Sequence, residues 1–150
     1  MSLISELPHR LCEWFSDLNE FSDCSVCTQF PGNSKATPLE KPVLVFGAKS
    51  VKVFDNVTDE TGAIITGSRI ADADFSIGIH VPRSMGGAEC FSILDSVTDR
   101  LLFSTDLAIN SIVSDSIEYI RNTDSLFLEL VFTVTETLKS DEKPGKKFTV

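Results

Sequence analysis

Few residues in this chain are of types and at spacings that could do chemistry. Cys24 and Cys27 form a Cys-x-x-Cys pair, the arrangement of a redox dithiol or of one half of a tetrahedral zinc site. A redox pair needs a lowered thiol pKa, usually supplied by a helix N-terminus. Here the pair falls in strand-like sequence beside Asp23, whose charge raises the pKa instead. A zinc site needs a second ligand pair, and Cys12, Cys90, His9 and His80 are scattered without pair spacing. The pair therefore reads as structural. His80 could serve as a general base, but no nucleophile can be named opposite it, and a histidine on the polar face of a strand accounts for it. Gly86-Gly87 lies before a helix, yet Ser-Met-Gly-Gly-Ala-Glu-Cys lacks both the P-loop ending and the dinucleotide Gly-x-Gly-x-x-Gly. Glycines that turn a strand sharply into a helix explain it. The residues point to a protein that is not an enzyme and carries no metal or other cofactor.

The carboxylates Asp55, Asp59, Glu60, Asp72 and Asp74 cluster around the middle loops. A calcium loop would need them at alternating positions within one tight turn, with Gly and Glu at set offsets that are missing here. They read instead as a solvated acidic rim, and as the candidate contact or lumen surface of an assembly. The whole chain has 13 basic and 22 acidic residues, a formal charge of −9. That balance opposes sequence-independent binding to phosphate backbones. An acidic wall can still serve DNA by repelling it, so that a duplex slides past without sticking.

These groups must be positioned by one domain, since 150 residues suffice for a single substantial core. Apolar residues make up 42% of the chain, and eleven Phe against one Tyr and one Trp place the aromatic area in side chains that prefer burial. Leu3, Leu7, Leu11, Trp14, Phe15 and Leu18 follow helical spacing, and Pro8 predicts a regular helix starting near that residue. Cys24 to Phe30 can form a short strand, and Pro31 to Pro42 reads as a loop. Val43 to Phe46 and Val51 to Phe54, joined by Gly47 to Ser50, predict a strand with a bend or a tight hairpin. A polar turn spans Asp55 to Gly62. Ala63 to Val81 is strand-like, with Phe75, Ile77, Ile79 and Val81 on one face. Cys90, Phe91, Leu94, Val97, Leu101 and Leu102 mark a second helix. Two strands close the domain, Ala108 to Tyr119 and Ser125 to Leu138, the second with Leu126, Leu128, Leu130, Phe132 and Val134 on a shared face. The expected fold is α+β, a mostly antiparallel sheet with two amphipathic helices packed against it, over residues 1–139. Residues 140–150 read as a mobile tail or as an arm that orders on a partner.

Charged residues come too early at the N-terminus for a signal peptide, and no stretch approaches the length of a membrane span. A cytoplasmic protein with reduced cysteines and no membrane partner is expected.

From Phe75 onward, FSIGIHVPRSMGGAECFSILDSVTDRLLF followed by LFLELVFTVTETL resembles the tail-terminator and tail-completion proteins of long-tailed bacteriophages. The match consists of an alternating strand ending in proline, a glycine turn with Cys90, an amphipathic helix ending near Leu-Leu-Phe, and two strands. With the N-terminal helix it spans about two thirds of the chain, and Pro31 to Asp74 fit least. The resemblance implies a ring, commonly a hexamer, that caps the tail tube and joins it to a head-completion or neck protein. DNA would pass through without specific binding. The protein would be found in the virion tail, and in the host cytoplasm during assembly. Other tail, neck or connector ring components remain alternatives. So does a small-ligand-binding domain using His80, Arg83 and Gly86-Gly87, and an adaptor that binds through a sheet edge.

Overall fold

A computed structural model describes residues 3–30 and 37–139, with the backbone alone at residues 3, 55–57, 64–67 and 139. Helix α1 (Leu3–Ser16) leads to strand β1 (Ser25–Cys27) and two long strands, β2 (Val43–Thr58) and β3 (Ile64–Pro82). Helix α2 (Gly87–Phe103) precedes β4 (Ile109–Ser114), β5 (Glu118–Ile120) and β6 (Ser125–Lys139). The strands form one sheet in the order β1-β2-β3-β6-β4, and β5 pairs with the start of β6. Only the β1–β2 junction is parallel. The fold is α+β with a mostly antiparallel sheet, as the periodicities predict.

The sheet grows around β3, which pairs with β2 on one side and along fifteen residues of β6 on the other, Ser68 opposite Lys139 through to Pro82 opposite Ser125. Strict alternation sends Phe75, Ile77, Ile79 and Val81 to one face, with Leu44 and Phe46 of β2 and Leu128, Leu130, Phe132 and Val134 of β6. Both helices cover that face. Phe15 of α1 meets Phe46 at 5.2 Å between ring centroids, and Phe75 stacks on Phe132 at 5.5 Å. Cys90, Ile93, Val97 and Leu101 of α2 complete the core.

Four sequence expectations change. Helix α1 starts five residues before Pro8 and contains it. The buried stripe of Leu7, Leu11 and Phe15 compensates for the backbone bond that proline cannot donate. Val43 to Phe54 is the strand with a bend, its register shifting at Lys49 between Ala48 and Ser50, but it runs on through Thr58, where a polar turn was expected from Asp55. The buried stripe of α2 is rotated from the expected one, so that Ile93 is inside while Phe91 and Leu102 are exposed. Each of those two lies one residue, about 100° of helical rotation, past a buried position. The last segment holds three strands, because the chain leaves the sheet after Ser114 and returns at Glu118. Residues 31–36 and the tail 140–150 lie outside the described residues.

Candidate functional site

The alternate residues of the same strands form the opposite face, against which no helix packs among the described residues. Asp72 and Asp74, grouped by sequence with the acids around the middle loops, sit on this face in mid-strand of β3, i and i+2 and so about 7 Å apart. The pairing of β3 with β6 places a threonine beside each: Asp74 opposite Thr133 and Asp72 opposite Thr135. Thr133 Oγ1 donates to Asp74 Oδ1 at 2.6 Å, and Ser50 Oγ of β2 donates to Asp74 Oδ2 at 2.9 Å. Ser111 of β4 extends the row by donating to Thr133 Oγ1 at 3.2 Å. Thr135 Oγ1 donates to Asp72 Oδ1 at 2.7 Å, and Asn110 Nδ2 donates to Thr135 Oγ1 at 2.6 Å. Two polar rows thus cross the sheet. The hydroxyls of Thr133 and Ser50 hold the Asp74 carboxyl below the usual carboxylate range.

Further along the same face Lys49 reaches across β3 to Glu129, Nζ to Oε1 at 2.5 Å, and this bond raises the lysine pKa. Glu129, Thr133 and Thr135 escaped sequence reasoning, although their alternation with the core residues of β6 is the signal that puts them on the bare face.

The remaining acids are elsewhere. Asp59 and Glu60 are at the tip of the β2–β3 hairpin, about 20 Å from Asp72 by strand rise. Asp59 Oδ1 accepts from Thr61 Oγ1 at 2.6 Å and from the amides of Thr61 and Ala63. These bonds, the Thr61 hydroxyl first, lower its pKa, and its role is to close the turn. Glu60 is exposed, and the Asp55 side chain lies outside the described residues. The four described carboxylates therefore form two groups instead of one cluster.

His80 is on the bare face too, packed between the rings of Phe30 and Phe127 at 4.6 Å each. Burial pulls its pKa down to about 4, so it is neutral at pH 7, and Nδ1 meets no partner among the described residues. Gly78 makes room for this stack, because a Cβ there would lie 3.1 Å from Phe127 Cε1. Arg83 turns away from His80 and pairs with Asp124, Nε to Oδ1 at 2.9 Å, beside the Tyr119 ring. Gly86 has φ +84°, the turn into α2 that its sequence predicts. His80 and Arg83 thus engage different partners, the rings of Phe30 and Phe127 and the carboxylate of Asp124.

All four cysteines are free thiols. Burial first, then Asp23 and Glu89, raise the Cys24 pKa against an opposing effect from Lys41, and burial raises that of Cys27. Both changes oppose thiolate chemistry. Among the described residues no three His, Cys, Asp or Glu side chains are placed to hold a metal ion, and no helix is long and apolar enough to cross a membrane.

The chain matches no protein-family model and no curated protein sequence.

Proposed function

We propose that this chain is a structural subunit that assembles into a ring of a bacteriophage-type tail, where it caps the tail tube and meets a head-completion or neck protein. The observation that carries this reading is the division of the sheet into a face sealed by two helices and a face left bare. Rows of carboxylates and hydroxyls cross the bare face, from Ser50 through Asp74 and Thr133 to Ser111, with Asp72, Thr135 and Glu129 alongside. A surface of that kind can line a passage for DNA: it is wetted, Asp72, Asp74 and Glu129 outnumber Lys49 and Lys52 on it, and its side chains are tied to one another and so not available to grip a strand. The chain's charge of −9 favours the same use, as does its resemblance to tail terminators.

The reading is tested by imaging the purified protein, alone and with its tube protein, by negative-stain electron microscopy, and by following DNA ejection from particles carrying Asp72→Lys with Asp74→Lys. Closed rings with a central opening, and ejection slowed by the double variant, are expected. Particles that assemble and eject normally with both lysines would remove the bare face from the passage. A protein that forms no ring even with its tube protein would overturn the ring itself.

A further inference from the structure

Two edges of the sheet are open among the described residues, and they differ. On one side β1 covers β2 only at Val43 to Val45, leaving the outer edge of β2 unpaired from Phe46 onward. On the other side β4 is the last strand, and its outer edge from Asn110 to Ser114 has no backbone partner, while the Ile109 amide donates back to the Leu107 carbonyl at 2.9 Å. Long open edges with apolar side chains are a hazard that proteins ordinarily cover. Here β2 exposes Val51 (42%), Val53 (53%) and Phe54 (39%) next to its open edge.

Val51 and Val53 pair with Ala73 and Ala71, which belong to the helix-covered side, so both valines project towards that side. Beside the β4 edge, on the same side, lies a groove of about 440 Å³ between α2 and β4, with Leu94, Asp95, Thr98 and Leu102 on one wall and Ile109, Ile112 and Ser114 on the other. On the bare side, Val113 of β4 is 60% exposed, and β2 presents Phe54 with Lys52 near its ring. Each edge thus offers apolar groups on the sides where the other can receive them.

We infer that the β2 edge of one copy adds to the β4 edge of the next, extending the sheet from subunit to subunit, with Val51 and Val53 filling the groove between α2 and β4. Neighbouring strands alternate in direction from β2 through β3 and β6 to β4, so a continued sheet makes this junction antiparallel. Charge selects the unlike pairing. Strand β2 has Lys49, bonded to Glu129 of its own chain, and Lys52 against one acid, Asp55, whereas residues 104–116 have Asp106 and Asp115 and no base. Joining β2 to β2 would oppose the lysines, and joining β4 to β4 would oppose the aspartates and leave both grooves unfilled. A contact between two different edges is heterologous, and such contacts close into rings when the rotation allows. The inference deepens the ring reading, and it concerns this chain alone, so that its failure is separable from failure to engage a tail tube.

The test uses two full-length variants, Val51→Lys with Val53→Lys on the β2 edge and Leu102→Lys in the groove, followed by sedimentation velocity over a concentration series. All three positions are exposed, and circular dichroism with thermal unfolding checks that each variant folds as the wild type does. Wild type should self-associate, and each variant alone should do so at least about tenfold more weakly, because a lysine would lose hydration against the Leu94, Ile109 and Ile112 side chains of the groove. Mixed, the two variants should form a 1:1 heterodimer and stop there, since only one intact pair of edges remains. A wild type that is monomeric at every concentration, a variant that assembles like wild type, or a mixture that gives no heterodimer would each overturn the inference. Should rings persist in the variants, the ring reading would stand without these edges.

Discussion

The helix-covered face and the bare face of the sheet are written by alternate residues of the same strands, and they are held by different forces. Along β3, Phe75, Ile77 and Ile79 face inward with almost no exposure, while Asp74, Ser76 and His80 face outward between them. The inner face is stabilised by area removed from water and by close packing, which are insensitive to pH. The outer face depends on hydrogen bonds and a half-buried neutral imidazole, which are sensitive to it. One face therefore supplies most of the stability and the other a surface of defined charge. A mutation or a change of pH should distinguish them.

The largest effect expected is on the inner face. Phe75→Ala removes a fully buried ring stacked on Phe132 and should cost about 3–5 kcal/mol. Urea unfolding at two pH values measures this, and the loss should be nearly the same at both. A loss below about 1 kcal/mol would mean that the core is less continuous than its packing implies.

His80 gives the next effect, and it depends on pH. Burial holds its folded pKa near 4, whereas in the unfolded chain the ordinary value is about 6.5. Between these values the unfolded state binds the proton and the folded state does not, so stability should fall as pH drops through this window, by up to about 3 kcal/mol. His80→Leu should flatten that slope. A wild-type stability curve that is already flat between pH 6.5 and 4 would show the imidazole to be more hydrated than its place between Phe30 and Phe127 indicates.

The smallest effect belongs to the polar rows. Asp74 accepts from Ser50 and Thr133, and its folded pKa is lowered. Its contribution is present above the usual carboxylate range and is lost as pH falls through the depressed folded value. Asp74→Asn should cost about 1 kcal/mol at pH 7, a modest figure because the site is partly hydrated, and nothing once the carboxylate of the wild type is protonated. A cost that persists undiminished in acid would point to packing instead of charge. The two faces would then be less distinct than proposed.

Much of the candidate site was legible in the sequence as residue types, and little of it as an arrangement. Asp72 and Asp74 share a face by their spacing alone, but they read as part of one acidic cluster with Asp59 and Glu60. That grouping failed because β2 and β3 continue as strands to Thr58 and from Ile64, which carries the hairpin tip away from Asp72. The direction of the Cys24 shift was legible from Asp23 beside it, but its larger cause, and the cause at Cys27, is burial that only the tertiary structure supplies. The separation of His80 from Arg83 was not legible, since it depends on Asp124, more than forty residues later, which holds the arginine.

By itself the sequence determined what short-range periodicity can determine. The period-two runs in β3 and β6 and the helical stripe of α2 require a half-buried sheet and an amphipathic helix, and hence an α+β fold. Only the tertiary structure decided that β6 lies between β3 and β4, that β1 runs parallel to β2, that Thr133 and Thr135 stand beside the aspartates, and that β2 and β4 are left as edges. Those outcomes depend on register between segments dozens of residues apart. Such register is fixed when side chains from all of them pack into one core, and no local pattern encodes it.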